Sequence, residues 1–314
     1  MKGLVFTGKR FRPVLLLAAL VLLLSAVSAG RAEGQIRKLP IDLSGGAPYT
    51  ATYRSNPEIY EDPSISVEYH HMLKGQRPDG RTYYYFYAIV TIVDPSQLRT
   101  AAGDPGNFVR ERRMRAVDMA KRVNAVLAIN GDFCTAFSGN KKDNYVLRQG
   151  TIYQDTVEPS LDMLLIDEDG DFHILTRDEN LAEANLTEID GKKIINAFQF
   201  GPALVIDGEP VDDEYILDPA HSPKWAEPQK RNPRMCIAQI DDLHYFVLAT
   251  WHGINVAVLR DLVLSITPVK TLYVLDGGNS AQMVFLNSQV NLYESDNNKR
   301  TIYDIIYFAS AYGD

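Results

Sequence analysis

Residues Leu272 to Ser280 read LYVLDGGNS: four apolar side chains, then a carboxylate, two glycines, an asparagine and a serine. An unbroken apolar run predicts a strand buried on both faces, with Asp276 ending it at the rim of a sheet. Gly277 and Gly278 remove side chains where a ligand or another backbone comes close, and they permit positive φ in a tight turn. Asn279 and Ser280 add polar groups to that turn. An ordinary turn uses the same residue types, so this stretch alone leaves both readings open.

A second stretch has the same design. Ala125 to Asn130 (AVLAIN) predicts another apolar strand, and it runs into Gly131, Asp132, Phe133 and Cys134. Strands that end in Asn-Gly-Asp and Asp-Gly-Gly can set their polar tips side by side, because ligand crevices form beyond the carboxyl ends of strands in mixed sheets. One pocket is expected where they meet.

Working outward, residues 1–29 carry Lys2, Lys9, Arg10 and Arg12, followed by an apolar run from Val14 to Val27 with Ser25 as its one polar member. The length suits a signal-peptide core and is short for a membrane span, and Val27-Ser28-Ala29 offers small residues for cleavage. The expectation is export to a secreted or extracytoplasmic location, with no stable membrane insertion after cleavage; an uncleaved anchor is the competing reading. Loss of those four cations takes the net charge from −8 to −12. So acidic a chain has no electrostatic footprint for nucleic acid, and any affinity for anions must be local.

Residues 30–65, rich in Gly, Pro, Ser and Thr, read as a linker or loosely packed arm. The main domain is expected over residues 66–314. Arg81–Asp94 (RTYYYFYAIVTIVD) predicts a core strand. Asn107–Val123 has apolar residues at helical spacing, with Arg110, Arg112, Arg113 and Arg115 as a solvated face or an anion site. Leu161–Ile166 and Phe172–Leu175 flank an acidic turn, which lacks the length and closing glutamate of a calcium loop. Gly201-Pro202 precedes the strand Ala203–Ile206 as strand entry or pocket wall, and the polar excursion Asp212–Asn232 is a candidate lid. Arg234 opens the next strand, where its planar fork suits a phosphate or carboxylate, or an internal aspartate. Asn255 is placed to cap a helix through about Ser265, and His252 beside it is a pocket residue or a packed loop histidine. The architecture expected from these elements is α+β, a mixed β-sheet core flanked by helices, with the pocket at the strand ends.

The ordered set AINGDFC (Ala128–Cys134), FGPALVIDG (Phe200–Gly208), NPRMCIAQ (Asn232–Gln239), HGIN (His252–Asn255) and LDGGNSAQMV (Leu275–Val284) resembles the phosphodiester glycosidase family, which includes bacterial exopolysaccharide-related members. The likeness spans Tyr83 to Phe308. It implies hydrolysis of sugar-1-phosphodiesters of the N-acetylglucosamine-1-phosphodiester kind, and the family's pattern carries over at Asn130, Gly131, Gly201, Pro202, Arg234, Asp276, Gly277, Gly278 and Ser280. The sequence departs from that pattern at Asn279, Cys134, Met235-Cys236 and Val258.

A phosphate is a good leaving group from an anomeric carbon, so the chemistry needs a cation for the phosphate and a carboxylate to support the oxocarbenium ion or activate water. Arg234 is the expected cation. Asp276 and Asp132 are the candidate carboxylates, as nucleophile, base or electrostatic partner. Backbone N–H groups at Gly131, Gly277 and Gly278 are expected to bind phosphate or sugar oxygens, beside Asn130, Gly201, Pro202, His252, Asn255, Asn279 and Ser280. The two cysteines, Cys134 and Cys236, fit a disulfide or two buried thiols. The six histidines make no zinc spacing. No cofactor is expected, and a divalent cation held by Asp132 and Asp276 has little support. Two function classes follow: an exported hydrolase of carbohydrate phosphodiesters in envelope or extracellular polysaccharide, or a non-catalytic sugar-phosphate-binding protein of envelope assembly.

Overall fold

Thr271–Leu275 is a strand with every residue buried, and so is Ala125–Asn130. The computed structural model describes residues 34–49, 53–54, 58–109, 112–132, 144–219, 228–291 and 300–313. The leader expected over residues 1–29, Cys134 and the middle of the excursion after Asp212 lie outside the described residues.

The two strands belong to different sheets. Thr271–Leu275 sits in a nine-stranded sheet ordered Glu209–Pro210, Ala203–Ile206, Thr271–Leu275, Met235–Asp241, His244–Thr250, Thr82–Ile92, Ile65–Gln76, Glu58–Asp62, Tyr53–Arg54. Ala125–Asn130 is central in a five-stranded sheet, between Met283–Phe285 and Asp304–Ala309, with Leu98–Ala102 beyond. A third sheet carries Met163–Asp167, Lys192–Gln199 and Val146–Arg148.

These observations correct the expected α+β class. The ladders between these strands run antiparallel, and the described residues hold three α-helices, of 7, 5 and 11 residues. The fold is β-rich. The physical reason lies in what an unbroken apolar run signals, namely cover on both faces, without saying whether a helix or a sheet provides it. Here a sheet provides most of it. One core joins Tyr273 and Leu275 of the first sheet, Leu127, Ile129, Ile306 and Phe308 of the second, and Leu164 and Phe198 of the third. Among the described helices, Val256–Ile266 packs with Leu272 and Val274 through Leu259 and Val263, and Ala116–Arg122 packs with Ala125 and Ala128 through Met119 and Ala120.

The helix expected over Asn107–Val123 is confined to Ala116–Arg122. Met114 and Ile302 exchange backbone hydrogen bonds at 2.9 and 2.8 Å, which holds the preceding chain extended. The other helix matches its sequence signals, because Asn255 Oδ1 accepts from Val258 N at 2.9 Å and caps Val256–Ile266. Within residues 30–65, the carbonyls of Pro40, Asp42 and Ser44 accept from the buried Arg99 guanidinium at 2.8, 3.1 and 3.0 Å. The acidic stretch is a hairpin turn in which Asp167 Oδ1 takes the backbone N–H of Asp169 and Asp171, both at 2.9 Å.

Tyr273 ties the first sheet to the third. Its buried hydroxyl accepts from Phe200 N at 2.7 Å and lies 2.7 Å from Asp162 O and 3.0 Å from Phe198 O. Tyr273→Phe strands a buried N–H and removes a donor, so unfolding by urea is expected to show a loss of about 1–3 kcal/mol. An unchanged midpoint would mean that the hydroxyl carries no net stability.

Candidate active site

The site begins where the two buried strands end. Asn130 Nδ2 donates to the Asp276 carbonyl at 2.8 Å and to Gly131 O at 2.9 Å, while its Oδ1 accepts from Gln282 N at 3.0 Å. The strand tips are therefore side by side, held by an amide whose polar atoms are taken by backbone. A cleft opens there, lined by Arg113, Asn130, Asp132, Asp276, Ser280 and Arg300 together with Thr301 to Asp304. It encloses about 340 Å³, its solvent-open mouth included.

Three carboxylates share the cleft. Asp276 is partly open to solvent. Burial of its carboxyl pushes the pKa up to about 6, against the Ser280 hydroxyl, the Arg300 charge and the Gly277 N–H, which all favour the ionised form; the Asp132 charge adds to the rise. Asp132 has a fully buried side chain, with Oδ1 2.6 Å from Arg148 Nη2 and Oδ2 accepting from Gln199 N at 2.8 Å. Asp304 Oδ2 accepts from Arg148 Nε at 3.1 Å. Gly131 makes room for it, since a Cβ there would lie 2.4 to 2.7 Å from the Asp304 carboxylate. Arg113 lies over the Tyr303 ring, Cζ to centroid 4.7 Å.

Of the residues expected from sequence, Asn130, Asp132, Asp276 and Ser280 line this cleft, and Gly131 and Gly277 adjoin it in the chain. Others have different work. Arg234, the expected phosphate cation, is not among the described residues that line this cleft: its buried guanidinium donates to Ile254 O at 3.0 Å, Pro228 O at 3.2 Å and Lys230 O at 2.6 Å. The arginine at the strand mouth is indeed paired, with backbone carbonyls that fasten the return of the 212–232 excursion. Gly277 is glycine because a Cβ would stand 2.6 Å from Pro233 O, a backbone contact and not a ligand's. Gly278 has φ +59, the left-handed turn that its neighbour requires.

Gly201 and Pro202 are buried against Thr271–Leu275, with Gly201 N bonded to Val274 O at 3.2 Å. Asn255 spends its side-chain oxygen on the helix cap. His252 lies against Tyr84 and Trp251 with ring centroids 5.6 and 5.3 Å away. Asn279 is exposed, and neither it nor Gly201, Pro202, His252 or Asn255 lines the cleft. Cys236 is a buried free thiol, its pKa pushed up to about 12 by burial. For a cation shared by Asp132 and Asp276 the obstacle is Arg148, which already neutralises Asp132.

Arg113, Arg148, Arg300 and Asp304 were not singled out as individual site residues. Arg148 and Asp304 had a usable signal: each is a single charge at the end of an apolar strand (YVLR and DIIYFA), where an unpaired charge is costly.

The site is thus an antiparallel β scaffold with carboxylates and arginines around one cleft. The chain belongs to the phosphodiester glycosidase family, whose model matches residues 123–309, more than half of it. Among solved structures, it shares its fold with the zebrafish N-acetylglucosamine-1-phosphodiester alpha-N-acetylglucosaminidase catalytic domain, auto-inhibited by its pro-peptide. The TM-score is 0.63 and the identity 14%, covering 89% of this chain and 96% of that one. A hypothetical protein from Synechocystis is similar at TM-score 0.50 and 14% identity, over 78% of this chain and 62% of its own. No curated protein matches the sequence.

Proposed function

We propose that the chain is an exported phosphodiester glycosidase that hydrolyses the bond between anomeric carbon and phosphate in sugar-1-phosphodiesters of envelope or extracellular polysaccharide. The observation that carries this reading is the placing of Asp276 in one cleft with Arg300 and Arg113. A carboxylate beside cations matches a substrate whose phosphate is anionic and whose anomeric carbon gains positive charge in the transition state. The zebrafish enzyme is named for N-acetylglucosamine-1-phosphodiester, which makes that sugar the first to test. The apolar run of the leader supports export.

In the reaction, Arg300 and Arg113 hold the phosphate. Asp276 acts in its ionised form, as the base that takes a proton from the attacking water or as the nucleophile at the anomeric carbon. The carbon–oxygen bond to phosphate breaks, the phosphomonoester leaves as an anion, and water's oxygen ends on the sugar. The leaving group needs no strong acid. Asn279, one of the departures from the family's pattern, is exposed and does not line the cleft.

The purified chain lacking residues 1–29 should release free sugar and a phosphomonoester from a panel of α-linked sugar-1-phosphodiesters. With the Asp276 pKa pushed up to about 6, kcat/KM is expected to rise about tenfold per pH unit below pH 6 and to level off above it. A profile that falls through pH 6 instead would make the protonated carboxyl the reactive form. Release of sugar from none of the panel would remove the hydrolase reading.

A further inference from the structure

The cleft brings Asp132, Asp276 and Asp304 into one wall. Like charges so gathered drive one another to bind protons unless a cation separates them. Arg148 is that cation for two of the three. Its side chain is fully buried, with Nη2 2.6 Å from Asp132 and 3.1 Å from Asp304 Oδ2. Its own place is fixed from several sides: the Phe198 ring lies 4.0 Å from Cζ, and the guanidinium also donates to Leu147 O at 3.2 Å and to Ala197 O. Asp132 is fixed in turn by Gln199 N. Asp276 lines the same cleft as Arg300, Arg113, Asp132 and Asp304, with the Ser280 hydroxyl and Gly277 N–H at hand.

We infer that Arg148 is a positioning residue: its fork holds Asp132 and Asp304 as a fixed, ionised pair in the cleft wall and leaves Asp276 as the carboxyl of the three that exchanges a proton. The inference rests on the hydrolase reading and assigns the aspartates within it. Asp132 and Asp304 supply a constant negative field toward the developing positive charge on the sugar, and Asp276 does the chemistry. The fork matters as much as the charge, because a planar guanidinium can serve two carboxylates at once where an ammonium presents a point charge.

Carboxyl carbon NMR of the full folded chain, labelled at aspartate and titrated from about pH 4 to 8, reads the assignment without turnover and therefore independently of whether the chain cleaves a phosphodiester. One cleft carboxyl should titrate in that range, and Asp276→Asn should remove it. In Arg148→Met a second aspartate should take up a proton in the same range, since Asp132 and Asp304 then share a site without a countercharge. Its kcat on a cleaved phosphodiester should fall at least about tenfold with KM within about twofold. A purely architectural Arg148 would lower the Tm and leave a single titrating carboxyl, overturning the inference. If Arg148→Met does not fold, Asp304→Asn takes its place: the amide oxygen still accepts from Arg148, one negative charge leaves the wall, and the Asp276 ionisation should move to lower pH by about half a unit or more. An unshifted Asp276 curve in that variant overturns the inference as well.

Discussion

Asp276→Asn is expected to abolish turnover and to make the protein more stable at neutral pH. The loss in kcat should be about 10³-fold or more, because the amide can neither take a proton from water nor attack carbon. The gain in stability follows from the pKa. Burial raises the folded carboxyl from its usual 3.8 to about 6, so the folded state binds this proton more tightly than the unfolded one. That contribution is fully present below about pH 4 and is lost as pH rises through 6, after which wild type keeps an ionised carboxylate in a poorly solvated place. Asparagine has no such charge. The variant should therefore unfold at a higher Tm above pH 6, by up to about 3 kcal/mol, with the difference fading toward pH 4. Thermal melts of both proteins across that range check it. A destabilised Asp276→Asn at pH 7 would mean that the carboxylate is held for structure and not kept at a cost for function.

The second large effect separates two arginines. Arg234→Met should cost about 3 kcal/mol or more, since the carbonyls of Pro228, Lys230 and Ile254 lose their buried donor. Where the variant is still folded, its KM should stay near that of wild type. Arg300→Ala should do the reverse. Arg300 is exposed at the cleft mouth, so the Tm should shift little, while KM for a phosphodiester rises about tenfold or more through the lost charge. Melting curves and initial rates on the two variants decide the matter. An Arg234 variant of full stability and raised KM would return that residue to the phosphate, as its position in the sequence first suggested.

The contrast between those arginines shows what the sequence could and could not tell. Ala125–Asn130 and Thr271–Leu275 were readable because a run of apolar β-formers ending in Asn-Gly or Asp-Gly is a local pattern, and so was the Asn255 cap. Their meeting at one cleft also followed from the shared design of their tips. What covers the strands was not readable, since Leu272 beneath a helix and Tyr273 beneath a sheet leave the same apolar trace. Partners distant in sequence were hidden too. Arg234 looked like a ligand's cation because a charge at a strand mouth must be paired, yet backbone carbonyls pair it. Arg148 and Asp304, 156 positions apart, carry the same signal and meet only in the folded chain.

The most direct test of the account is kcat/KM for sugar release from N-acetylglucosamine-1-phosphodiester across about pH 4 to 8, for wild type beside Asp276→Asn. A rising limb centred near the Asp276 pKa of about 6 is expected in wild type, with no measurable release by the folded variant at any pH. Release that survives in Asp276→Asn with the same pH profile would contradict it.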